Sequence, residues 1–106
     1  MLEEWTSSKW TDGIQVDELN DSERVIAETA NSIYEITVIR ASTGDVLVRG
    51  GKLFPEKTRA QIIGASWGGP SVKVSGIYTG MNVEFLLEGQ RVVTSPVHSV
   101  KIVPSR

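Results

Sequence analysis

Apolar and polar positions alternate along most of the chain. Tyr34, Ile36 and Val38 fall on one side of a run whose other side holds Glu35 and Thr37, the period of two expected of a half-buried strand. The same period recurs in Val72-Lys73-Val74-Ser75, in Asn82 to Glu88, where Val83, Phe85 and Leu87 share a face, and in Val97 to Val103. Arg24 to Thr29 and Ile33 to Ile39 read as one long strand with a bulge or bend at Ala30-Asn31-Ser32. Ala41-Ser42-Thr43-Gly44-Asp45 is a hairpin connection leading into Val46 to Arg49, because a short segment with Gly near its end reverses an alternating chain. Gly50 to Thr58 is the longest expected loop. Arg59 to Trp67 returns to strand and stops at Gly68-Gly69-Pro70, since proline has no donor for a ladder. Gly80, Gly89 and Ser95-Pro96 break the remaining runs. At the other end, Gly13 to Val16 is a short strand and Asp17 to Ser22 a polar turn or single helical turn, because Asx residues satisfy their own backbone there.

Seven or eight strands on short connections predict an all-β fold with little or no helix. A small antiparallel β-barrel comes first, because closure removes unpaired edges, and a β-sandwich second. Composition agrees: 13 Val, 9 Ile and 8 Thr outweigh 6 Leu and 5 Ala, and β-branched side chains suit a pleated surface better than a helix. Ile39, Leu47, Leu86 and Val92 fall on the face that alternation sends to solvent. Either the register slips by one residue or that face is covered, by the N-terminal arm or by a second copy of the chain. The domain reading is residues 1–20 as an N-terminal arm, partly ordered where Trp5 and Trp10 dock, and residues 21–106 as a single barrel.

The 106 residues make one domain. With no cysteine, disulfides, zinc-thiolate sites, iron-sulfur clusters and thiol catalysis are excluded. The acidic start Met1-Leu2-Glu3-Glu4-Trp5 lacks the positive charge of a secretory leader, and no apolar run approaches a membrane span, so a cytoplasmic location without membrane attachment is expected. Charge is uneven. Residues 1–35 balance at −7 and residues 36–106 at +5. The acidic third neutralises the basic remainder, or a basic face meets an anionic partner.

No constellation carries catalysis. Gly64-Ala65-Ser66-Trp67-Gly68 matches the letters G-x-S-x-G, but that motif needs a strand-turn-helix setting, and here a Gly-Gly-Pro turn and another strand follow. Glu84 and Glu88 are the only acids between Ser66 and His98 and so the only candidates for the triad acid. His98, the single imidazole, alternates in phase with Val100 and Ile102 and is expected packed or half-buried; an enzyme pairing it with a carboxylate is the weakest alternative. Asp17, Glu18, Asp21 and Glu23 lack the glycine and spacing of a calcium loop, and the Gly50-Gly51 and Gly68-Gly69 pairs open no helix for a phosphate. No cofactor and no metal are expected. What remains is a set of rings and cations as candidate binding residues: Arg49, Lys52, Phe54, Arg59, Trp67, Lys73 and Tyr78, with Lys57 beside them. Such a mixture serves single-stranded nucleic acid, where bases stack and cations follow phosphates. Against that stand a pI of about 5.4, below the basic range of a dedicated binder, and the chance for Phe54 and Trp67 to plug the barrel ends.

The segments Glu28-Thr29-Ala30-Asn31-Ser32-Ile33-Tyr34, Val48-Arg49-Gly50-Gly51-Lys52-Leu53-Phe54-Pro55-Glu56, Gly64-Ala65-Ser66-Trp67-Gly68-Gly69 and Thr94-Ser95-Pro96-Val97-His98-Ser99-Val100 resemble a group of small uncharacterised bacterial proteins. The resemblance implies a bacterial source and a β fold, and no activity or site residue. The expectation that follows from the residues is a non-enzymatic module that binds another protein, or itself, through the 50–59 loop, the 67–71 turn and neighbouring strands. A single-stranded nucleic-acid-binding barrel is the alternative.

Overall fold

The computed structural model describes residues 10–67, 69 and 72–103 of the chain. They form eleven strand segments: β1 (Trp10–Thr11), β2 (Gly13–Gln15), β3 (Arg24–Thr29), β4 (Ile33–Arg40), β5 (Asp45–Gly50), β6 (Phe54–Ser66), β7 (Val72–Val74), β8 (Gly76–Tyr78), β9 (Asn82–Leu87), β10 (Gln90–Val93) and β11 (Val97–Val103). The fold is all-β, with one 3-10 turn among the described residues, at Val16–Glu18 where the polar turn is expected. Nine strands make one sheet in the order β1-β11-β3-β4-β5-β6-β9-β10, with β7 paired to β6 beside this path, and β2 and β8 form a second, small sheet.

The large sheet curls into a barrel-like shell. Strand β6 turns one corner: its first half pairs with β5, as in Leu47 with Arg59, and its last residues pair with β9, as in Ser66 with Asn82. The chain from β10 to β11 turns another at Ser95-Pro96, pairing with β9 before the break and with β3 after it. Gly80 N–H donates to the Val97 carbonyl and Val97 N–H to the Met81 carbonyl, tying the start of β9 to β11. Residues 10–15 stitch the two sheets together, β1 pairing with β11 and β2 with β8.

Alternation decides the inside. Ile36, Val46, Val48, Phe85 and Val100 are fully buried, from the phases that the sequence sets, and so is Val25. Phe54 sits at the centre, with Tyr34 and Phe85 edge-on at centroid distances of 6.5 and 5.3 Å. Burying one ring of that size contributes about 2–3 kcal/mol. Ile14 and Val16 also lie in this core, so the folded unit takes in residues assigned above to the arm; Trp5 lies outside the described residues.

Three local readings change. Ala30-Asn31 is a hairpin turn and not a bend in one strand: β3 and β4 pair antiparallel, and the Thr29 hydroxyl accepts the N–H groups of Asn31 and Ser32, which closes the reversal. The 50–59 loop is only the turn 51–53, because burial of Phe54 fixes the chain and β6 starts there. His98 is exposed, since a register shift between Val97 and Ser99 moves it out of phase with Val100. The Ala41 to Gly44 reversal stands as read, with Gly44 at φ +79°.

Candidate interaction surface

Strands β6 and β7 pair Ala65 with Lys73, and Trp67 follows at the end of β6. Its side chain is 73% exposed, the most open of the large apolar residues described. A methyl group at Gly80 would lie 3.9 Å from the indole Cζ3, so the ring stands over the turn after β8. Two residues back, Tyr78 is locked by its surroundings. It pairs across the small sheet with Gly13, and a methyl group at Gly13 or Gly76 would fall 1.9 or 2.5 Å from its ring. The two glycines thus leave the room that the ring fills, a way of covering bare strand backbone with an aromatic. The Tyr78 hydroxyl donates to Gln15 Oε1 at 2.7 Å, and Lys73 Nζ sits 4.5 Å from the ring centroid. Trp67, Lys73 and Tyr78 therefore converge around residues 78–80.

A buried carboxylate lies beside them. Alternation turns Val83 and Phe85 into the core and Glu84 to the outer face of β9, yet Glu84 has no accessible surface. Ser66 Oγ and Arg91 Nε, the latter at 2.5 Å, donate to its two oxygens. Arg91 also reaches the Gly69 carbonyl at 3.4 Å, so one acid holds the last residue of β6 while its cation reaches across to the turn beyond Trp67. The Arg91 hydrogen bond holds the Glu84 carboxyl below its usual value; burial works against this, and Ser66 and the guanidinium charge add to it. The same pair raises Arg91. An anion stabilised this way is a weak base, and Ser66, the serine of the G-x-S-x-G letters, is itself fully buried. The arrangement suits a clamp.

The other predicted site residues are elsewhere. Phe54 is a core ring and offers no contact surface. Arg49, Lys52 and Arg59 belong to β5, the turn after it and β6. Arg59 is 3.5 Å from Asp45, and Arg49 pairs across the strands with Glu35, which also holds Arg24 at 2.9 Å. Arg49 and Arg59 thus lie among acids on a solvated sheet face, and Lys52 is exposed in the turn between β5 and β6. Of the seven, the structure gathers three. The sequence reading passed over Arg91 and the partnership of Ser66 with Glu84. The available signal was Glu84 itself, the one charge inside the apolar run Val83 to Leu87, with Arg91 just across the Glu88-Gly89 turn.

A shallow hollow lies between the Thr29–Ile33 turn and Gly51. Among the described residues no cluster of three His, Cys, Asp or Glu side chains could hold a metal ion, and no helix is long and apolar enough to cross a membrane. No family model, curated protein or solved structure matches the chain.

Proposed function

We propose that the protein is a non-enzymatic β-barrel-like module that binds another protein, with Trp67 as the central contact and Lys73 and Tyr78 beside it. The observation that carries this reading is an indole 73% exposed at the end of a strand whose preceding residue is clamped to Glu84. An exposed ring on a fixed support loses little entropy on binding, and Trp and Arg are the side chains most often found at the energetic centres of protein interfaces. Partner recognition in this reading rests on the ring and on the Lys73 ammonium. Ser66 and Glu84 act through position, which supports a role without catalysis. The cysteine-free composition suits a reducing, cytoplasmic setting.

A nucleic-acid partner fits less well. Arg59 and Arg91 are paired with acids and Phe54 is buried, so of the candidate cations Lys73 alone is gathered with the rings of Trp67 and Tyr78, too little to follow a run of phosphates. The test is recovery of partners by tagged protein, run side by side with Trp67→Ala and with Ile33→Ala, another exposed apolar residue. A protein retained by the wild type and Ile33→Ala and lost with Trp67→Ala supports the reading. Retention by all three contradicts it, as would tight binding of short oligonucleotides that weakens steeply with salt.

A further inference from the structure

Strand β10 ends the path of the large sheet, with β9 on one side and no strand among the described residues on the other. Its register to β9 is unbroken, pairing Arg91 with Leu86 and Val93 with Glu84. Thr94 N–H donates to the Val83 carbonyl, so residues 92 and 94 turn their backbone groups towards β9 and, by the alternation of an antiparallel ladder, Arg91 and Val93 turn theirs outward. Edge strands are ordinarily blunted by proline, a bulge or an unpaired charge. Residues 90–93 contain no proline or bulge, and their one charge is already tied to Glu84. On the same face Val93 and Leu86 are 40% and 37% exposed.

We infer that β10 pairs with β10 of a second copy of this chain, antiparallel about a two-fold axis at Val92. The edge is self-complementary in that register. Arg91 of one copy faces Val93 of the other, and both are the residues whose N–H and C=O point outward, so each of the two pairs exchanges two backbone hydrogen bonds. Shortness favours a copy over a longer foreign strand: the free edge is bounded by the Glu88-Gly89 turn and by Ser95-Pro96, and a four-residue strand matches its own length. The pairing would extend the β6-β9-β10 face through both copies and give a dimer with two Trp67 surfaces. It stands independently of the partner that Trp67 meets.

The chain has no cysteine, so a single Val92→Cys can cross-link only between copies. Facing residues at a non-hydrogen-bonded position bring their Cα atoms within disulfide range. Mild oxidation is expected to give covalent dimer from Val92→Cys at least tenfold faster than from Ile33→Cys, an exposed control on β4. By sedimentation the wild type should be a dimer, and Val93→Pro, which removes an outward N–H without removing a bond to β9, should raise the dimer dissociation constant at least tenfold with an unchanged circular dichroism spectrum. A wild type that sediments as monomer, equal cross-linking of the two cysteine variants, or a folded Val93→Pro dimer of unchanged affinity would overturn the inference. If Val93→Pro unfolds, the cysteine comparison decides alone.

Discussion

Glu84 and Arg91 meet at 2.5 Å with the carboxylate wholly buried and the guanidinium half in water. The asymmetry matters, because removing the cation leaves a buried anion with a hydroxyl as its remaining described side-chain donor, and an uncompensated buried charge costs far more than the pair contributes. Arg91→Ala should therefore lower the melting temperature by more than Arg49→Ala. Glu84→Gln combined with Arg91→Ala should recover part of the loss. Thermal melts of the four proteins check this, and equal losses from the two arginine variants would contradict it.

The same pair sets an acid limit. Glu84 has a folded value below its ordinary value of 4.5, so the native state binds fewer protons than the unfolded chain in that range. The stability that Glu84 contributes is complete above 4.5 and is lost as pH falls through the lower folded value. Denaturant melts should show the wild type losing stability below pH 4.5 more steeply than Glu84→Gln. Parallel curves would show that the carboxylate does not carry the effect.

Two aromatic residues separate core from surface. Phe54→Ala removes the ring at the centre of the core and should cost about 3–5 kcal/mol, a fall of well over ten degrees in a domain of this size. Trp67→Ala, at an exposed site, should change stability by no more than about 0.5 kcal/mol. Differential scanning calorimetry of both variants measures the contrast.

How far the sequence reveals these roles depends on what each residue's neighbours along the chain can report. Period two located the strands, because each strand has a wet and a dry side, and it placed Ile36, Val83 and Phe85 correctly. It failed where a contact from elsewhere changed the phase or ended a run. Phe54 lies between a Gly pair and Pro55 and reads locally as loop, and only its burial against Tyr34 and Phe85 turns the stretch into strand. The bulge before Ser99 reverses His98. At the site, Trp67, Lys73 and Tyr78 were legible as rings and cations close in sequence, whereas Ser66, Glu84 and Arg91 come together through pairing of three strands that no local pattern announces.

Gly13 tests the setting of Tyr78. Its substitution by Ala drives a methyl into the Tyr78 ring, and moving the ring sacrifices the Gln15 hydrogen bond and the Lys73 contact. Gly13→Ala should cost about 1–3 kcal/mol, the usual range for overpacking, and much of that should vanish in a Tyr78→Ala background. A double-mutant cycle by denaturant unfolding gives the coupling, and additive losses would show that ring and glycine are independent.

The most direct measurement concerns the indole itself. In a Trp5→Phe, Trp10→Phe background, Trp67 is the remaining tryptophan, and its fluorescence reports one site. Water-like emission that acrylamide quenches fully in the free protein, moving to shorter wavelength and losing quencher access when a partner retained in the co-purification is added, is the expected result. Blue-shifted, quencher-resistant emission in the free protein would contradict the account, because it would place the ring in the interior and leave the surface without its centre.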